Sequence, residues 1–401
     1  MSGRRRRAPR TVTFPHMGSV TIALRALFGR LEIPMVMAPP VSEETISLGV
    51  RHSPECACLP LKINVGNYLE AARLGAEAVV MIGGIGPCRL GYYAEVQREI
   101  LRGLGVDLEM VVLEPPARGW RQLARQVGRL TGGRSWRDIS GALWLAWHKM
   151  RWLDDLEALA GHLRPRECRR GLVSAALADG HRWLDEASTL PAIEEAGRAG
   201  RAALGAVEAR VGFEPVRVAI VGEIFTVVEH SVNGACAEAL GHLGAEVEQT
   251  VWPSEWVRNN LPLGPWRARG PGSEDHYRDL AVPYINHSVG GEGQPNVGRA
   301  VEAARRGFDG VVHLAPLTCM PEIVARVALD EVARDYGIPI LTFWLDEHSS
   351  PTGLRTRLEA FVDLLERRRR GGGGPAPADA DLVTVDGARP GRTSAAGGDG
   401  T

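Results

Sequence analysis

The sequence predicts an α/β protein: two Rossmann-like parallel-sheet domains with a helical segment between them. Three observations carry this. Short apolar, β-branched runs recur at 77–82 (EAVVMI), 108–113 (LEMVVL), 217–221 (RVAIV), 310–314 (GVVHL) and 339–345 (PILTFWL), as expected for strands buried on both faces. Stretches with apolar residues at helical spacing separate them, and such alternation means a parallel sheet covered by helices. The middle of the chain, 119–210, breaks the pattern and contains no convincing strand.

In order, residues 1–10 read as a basic tail and 11–14 (TVTF) as a first strand ending at Pro15. Residues 19–31 have helical spacing and 33–37 read as a second strand. Ser42 is a suitable N-cap for a short helix, and 62–74 and 92–104 are helical around the strand at 77–82. The middle segment is rich in Leu, Ala, Arg and Trp; Trp144, Trp147 and Trp152 suggest a helical subdomain with an aromatic core. Strand–helix alternation resumes at 217–221, with a helix at 232–243, a strand at 247–251 and a short helix near Trp256. Residues 262–274 read as a Pro/Gly/Arg-rich loop, followed by helices at 296–307, 322–336 and 353–369 between the last two strands and after them. The predicted organisation is therefore a tail (1–10), an N-terminal α/β domain (11–116), a helical segment (117–214), a C-terminal α/β domain (215–369) and a Gly/Ala/Pro-rich tail (370–401) that is disordered by composition.

The chain has 401 residues, a length that suits two domains. It is 44% hydrophobic and 24% charged, with a net charge of −1. That balance points to no nucleic-acid or anionic-membrane partner. No apolar run reaches ~18 residues, and no apolar segment follows Arg4–Arg7, so neither a span nor a secretory signal is expected and the compartment is read as cytoplasmic.

Six cysteines in a chain of this length do not form a disulfide scaffold. Cys88 (GGIGPCRLGYY) and Cys319 (APLTCMPE) each follow a predicted strand and precede a helix; Cys58 (SPECACLPLK) also precedes a helix. In open α/β sheets, ligands bind at the carboxyl ends of the strands. The partial positive charge of a helix N-terminus favours thiolate, and loop amides can hydrogen-bond cluster sulfides. A lone cysteine is more often a small buried hydrophobe; Cys168 and Cys236, on predicted helices, fit that description. For the three strand-end cysteines, spacing leaves both readings open. It matches no zinc ribbon or ferredoxin run. A zinc site would want a fourth ligand, for which His16, His52, His230 and His313 are available.

At these residues the sequence resembles the acyl-CoA dehydratase activase-related proteins (CoA protein activases) of the 2-hydroxyacyl-CoA dehydratase subunit-like family. The resemblance rests on TFPHMG, SPECACLPLK, GGIGPCRLGYYAEVQREIL, VLEPP, VGEIF, GGEGQPNVGRAVEAARRGFDGVVHLAPLTCMPE and DEHSSPTGLRTRLEAFVDLLERR. It implies that Cys58, Cys88 and Cys319 ligate a 4Fe-4S cluster, alone or as half of a double-cubane cluster, with one iron not held by cysteine. It further implies low-potential electron transfer driven by a separate ATP-hydrolysing activator subunit, chemistry on an acyl-CoA or other small substrate, and an oligomeric assembly. A non-catalytic cluster-binding scaffold or sensor is the alternative. The chain contains no G-x-x-x-x-G-K-[ST] phosphate loop of its own.

Lys62 and Arg89 lie beside the same loops and are candidates to offset cluster charge or bind a CoA phosphate; ordinary ion pairing is the competing reading. Glu223 and Glu322 share that edge. Gly290, Gly291 and Gly293 precede a helix that could seat a phosphate. Asp346, Glu347 and His348 follow the last strand and suit proton transfer or a capping or ion-pair role.

Overall fold

The computed structural model describes residues 10–83, 88, 90–113, 120–260 and 272–371. Arg89, the arginine run at 4–7, the EPP of VLEPP and nearly all of both predicted tails lie outside the described residues. The chain is α/β, with two parallel sheets. In the first half, β1 (Val12–Thr13), α1 (Val20–Arg30), α2 (Glu43–His52), α3 (Leu59–Arg73), β2 (Ala78–Ile82), α4 (Leu90–Gly103) and β3 (Glu109–Leu113) build a sheet of order β1-β2-β3. A helical segment follows: α5 (Trp120–Leu130), α6 (Trp136–Leu163), a 3₁₀ turn (Arg164–Arg166), α7 (Leu172–Glu186) and α8 (Leu190–Gly205).

The second half comprises β4 (Val216–Gly222), α9 (Ile224–Val228), α10 (Cys236–His242), β5 (Ala245–Gln249), α11 (Pro253–Asn260), α12 (Glu274–Ala281), α13 (Gly293–Arg305), β6 (Gly310–Pro316), α14 (Met320–Tyr336), β7 (Ile340–Leu345) and α15 (Pro351–Arg370). Its sheet order is β5-β4-β6-β7. The chain thus leaves β4 to one side for β5 and returns to the other side for β6. That reversal opens a crevice at the carboxyl ends of β4 and β6, where such sheets bind ligands.

Both faces of this sheet are covered, as its apolar strands require. Val218 and Ile220 of β4 point into a core with Leu240 of α10 and Leu358, Phe361 and Leu365 of α15. Ala219 and Val221, one residue out of phase, point into a core with Val297 and Val301 of α13 and Leu329 and Val332 of α14. Leu59 and Ile63 of α3 also enter the first of these cores. The two halves are therefore welded by α3, which begins at Leu59.

Helices α2 and α3 cross at glycines. A Cβ on Gly49 would overlap the Lys62 carbonyl oxygen, and one on Gly66 would overlap the Thr45 carbonyl. Two missing Cβ atoms let the backbones touch. Ser42 and Thr45 form a reciprocal capping box that fixes the start of α2.

Four expectations are corrected. Residues 33–37 are not a strand: Met35 makes one isolated bridge with Val12, and Pro34, which has no N–H, accepts from the Val12 amide at 2.8 Å. The core of the helical segment is aliphatic, built on Leu153, Leu156, Val173, Leu184, Ile193 and Leu204, with Trp152 and Trp183 at its margin. Trp144 and Trp147 stack on each other at its half-buried edge. Cys168 is exposed in the turn after the 3₁₀ segment, not on a helix. The end of the predicted loop at 262–274 is the start of α12, capped by the Ser273 side chain.

Among the described residues, no helix is long and apolar enough to cross a membrane.

Candidate functional site

Each of the three cysteines sits at a helix start; Cys88 follows β2 and Cys319 follows β6, whereas Cys58, expected at a strand end, lies between α2 and α3. Cys58 is the N-cap of α3 and Cys319 the N-cap of α14, each followed within two residues by proline. Proline suits a first turn, where its missing N–H costs nothing. Cys88 lies two residues before α4. The amides of Leu61, Leu90 and Glu322 each pull down the pKa of their own cysteine, at Cys58, Cys88 and Cys319 respectively, although those at Cys58 and Cys319 fall outside strict capping geometry. Three helix N-termini therefore direct partial positive charge at sulfur.

Cys88 and the turn that carries Cys319 come together. The Cys88 sulfur would stand 3.9 Å from a Cβ on Gly291, and the Pro321 ring 3.4 Å from the same point, so the first half's Cys88 meets the second half's Cys319 turn around one glycine. Gly291 has φ +49°, which glycine adopts without strain. Cys58 is within electrostatic reach of both other sulfurs. Cys58 and Cys319 are buried and Cys88 is half-buried. Burial pushes all three thiols up, Cys58 to about 11, against the pull of the amides. As free thiols they would be neutral; a positively charged group in their midst would be needed to hold them as thiolates.

Two carboxyls share the crevice. Glu223, directly after β4, caps α9: its oxygens accept from the Phe225 N–H (3.1 Å), the Thr226 N–H (2.9 Å) and the Thr226 hydroxyl (2.7 Å). Burial raises its pKa despite those bonds, and its charge is felt at Cys58, Cys88 and Cys319 alike. Glu322, in the first turn of α14, is fully buried. It is met by His313 Nε2 at 2.8 Å and by Asn296 Nδ2 at 3.1 Å. His313 Nδ1 lies 3.3 Å from the Thr342 hydroxyl, so both of its nitrogens are engaged.

Thr318, just before Cys319, has φ +66°, a conformation rare for a β-branched residue. Its hydroxyl oxygen is buried with no hydrogen-bond partner among the described residues.

Lys62 is buried, and its Nζ pairs with Glu347 Oε1 at 2.6 Å. Its charge is met by the other half of the chain, and Lys62 in turn overcomes the effect of burial on Glu347 and holds that carboxyl below its ordinary pKa. Arg89 lies outside the described residues. Asp346 accepts from the His348 amide and the Ser349 hydroxyl, which closes a turn ahead of α15, whose cap is Ser350. The Gly290–Gly293 turn packs on Pro321: a Cβ on Gly293 would stand 2.6 Å from the Pro321 carbonyl oxygen. Cys236 is in the main core, where burial raises its thiol to about 12. Cys56 is exposed.

Sequence reasoning missed Tyr93. It lies one turn into α4, is buried, and its hydroxyl contacts the Cys58 sulfur. The pair GYY showed two tyrosines at the right helix; only packing says that Tyr92 faces solvent and Tyr93 faces Cys58.

Among the described residues, no group of three or more His, Cys, Asp or Glu side chains is placed to hold a single metal ion. Ligands of one ion must converge on one point, whereas each thiolate on a cubane binds its own iron. Three thiols and three amide-bearing helix starts are donor types that a sulfur-bridged cluster would use. No protein-family profile matches the chain, and no curated protein matches it.

Proposed function

We propose that Cys58, Cys88 and Cys319 hold an iron–sulfur cluster and that the chain is a component of a 2-hydroxyacyl-CoA dehydratase-type system, taking part in ATP-coupled, low-potential electron transfer. The single observation that carries this reading is that Cys88, after β2 of one sheet, meets the Cys319 turn, after β6 of the other, around Gly291, with Cys58 within electrostatic reach of both. When bound, the cluster supplies a low-potential electron and an iron free of cysteine. The rest of the site's work falls to the chain's own residues. The amides of Leu61, Leu90 and Glu322 offset negative charge on the sulfurs. Burial of Cys58 and Cys319 excludes water. Glu223, raised by burial, can hold a proton at its carboxyl beside all three sulfurs. Lys62, tied to Glu347, keeps the two halves in register across the site. With no phosphate loop in the chain, ATP hydrolysis is assigned to a separate activator subunit, and an acyl-CoA or similar small molecule to the crevice.

A second reading, a cluster-binding scaffold or sensor without catalysis, is favoured by one feature: Tyr93 covers Cys58.

The test is anaerobic purification with iron and sulfide analysis, and EPR after low-potential reduction. About four irons and four sulfides per chain, lost in Cys58→Ala, Cys88→Ala and Cys319→Ala but kept in Cys168→Ala and Cys236→Ala, are expected. A wild-type chain that binds no iron overturns the reading. A cluster that perturbs with no acyl-CoA and accepts no electron from an activator selects the scaffold.

A further inference from the structure

Tyr93 is the one side-chain hydroxyl with a contact to any of the three sulfurs among the described residues. It stands on α4, the helix that Cys88 introduces, and reaches back to the helix that Cys58 caps. Its ring belongs to the buried apolar cluster that includes Leu61, Val79, Met81 and Ala94. A phenol hydroxyl is a hydrogen-bond donor. A sulfur can accept that proton's hydrogen bond; a phenolate against a thiolate would be two buried like charges.

We infer that the Tyr93 hydroxyl donates a hydrogen bond to the Cys58 sulfur and thereby sets the reduction potential of the group that this sulfur holds. The inference rests on the cluster reading above. A donated bond draws electron density from the thiolate and stabilises the more negative, reduced state, so it raises the potential. It also makes the three ligands unequal. Among the described residues, Cys88 and Cys319 each have a backbone amide against the sulfur, whereas Cys58 has an amide and a phenol. Tyr93 is a positioning and tuning residue, not a catalytic one.

The experiment uses the full chain, purified anaerobically, with iron and sulfide content and the midpoint potential measured by EPR-monitored titration. Two variants have opposite expected signs. Tyr93→Phe keeps the ring and deletes the donor; it should keep the wild-type iron content and titrate at a lower potential. Replacing Tyr93 with 3-fluorotyrosine keeps the shape and makes the hydroxyl a stronger donor; it should titrate at a higher potential. If Tyr93→Phe fails to retain its cluster, the fluorotyrosine protein decides alone: a raised potential supports the hydrogen bond and an unchanged one overturns it. Equal potentials in wild type and both variants, with iron unchanged, overturn the role of Tyr93 and leave the cluster intact. A wild type without iron and sulfide overturns the cluster itself, and with it this inference.

Discussion

His16 Nδ1 lies 2.7 Å from Glu229 Oε2, a contact across 213 positions of sequence. The Gly18 amide donates to the same oxygen at 2.8 Å, and the Ser231 hydroxyl donates to the other. The His16 amide in turn donates to Asn67 Oδ1 of α3 at 3.1 Å. The loop after β1 is thus held from both halves at once, at the edge where the thiols gather.

Burial alone would raise the Glu229 pKa, but His16, Ser231 and the Gly18 amide pull it to about 2, from 4.5. A depressed carboxylate contributes stability that is present above the unfolded value and lost as pH falls through the folded one. The window is therefore about pH 4.5 down to 2, and the contribution is about 3 kcal/mol at neutral pH. Urea unfolding at pH 6 and pH 3 should show Glu229→Gln less stable than wild type at pH 6, with the difference shrinking at pH 3. An equal difference at both values would separate Glu229 from the acid response.

Asp154, on α6, has the opposite behaviour. Burial pushes its pKa to about 8 from 3.8, against its hydrogen bond from the Ser254 amide at 2.9 Å. The folded chain then holds a proton that the unfolded chain releases, so stability falls as pH rises from about 4 to 8. The full effect is up to about 6 kcal/mol. Asp154→Asn should remove this slope and gain on wild type at pH 9 relative to pH 5. Parallel pH profiles for the two proteins would refute it.

The glycines between α2 and α3 predict a reversal of the usual helix rule. Alanine in place of a helical glycine normally gains roughly 0.5–1 kcal/mol. Gly29→Ala in α1, where a Cβ meets nothing within 4 Å, should show that gain. Gly49→Ala and Gly66→Ala should instead lose about 1–3 kcal/mol from backbone collision. Thermal or denaturant unfolding of the three variants side by side checks the sign at each.

Lys62 and Glu347 are bonded over 285 positions. Breaking a buried pair by removing one partner costs about 3–5 kcal/mol; partial exposure of Glu347 puts this pair at the low end. Lys62→Met should therefore destabilise strongly, and Lys62→Met with Glu347→Leu should recover most of the loss. A Lys62→Met chain of normal stability that has lost affinity for CoA would instead assign the ammonium to a phosphate.

The sheets were legible because their strands are buried on both faces, which forces uninterrupted apolar runs such as EAVVMI and GVVHL. The short strand expected at 33–37 failed because its apolar residues serve the packing of a loop: Ile33 is buried against α1 while Pro34 lends only its carbonyl. The three cysteines were visible as residues before helices, since local sequence marks strand ends and caps. Tyr93, the His16–Glu229 contact and the Lys62–Glu347 pair were not, because each depends on how distant elements dock. Cys168 sits in RECRR, whose composition suits a helix; the chain there turns to bring Glu167 to Ala209 in an isolated bridge.

The placement of the thiols also sets a schedule. Cys58 and Cys88 are made early, and Cys319 is the third member of the same site. At ~5–20 residues per second, synthesis of the intervening chain takes on the order of tens of seconds. Throughout that interval Cys58, destined for burial, and Cys88, destined for partial burial, have no third partner and no second sheet to cover them. A nascent chain is thus most open to oxidation before its last sheet forms. Pulse-labelling with a thiol reagent during translation should trap Cys58 and Cys88 in the unfinished chain and spare them in the finished one.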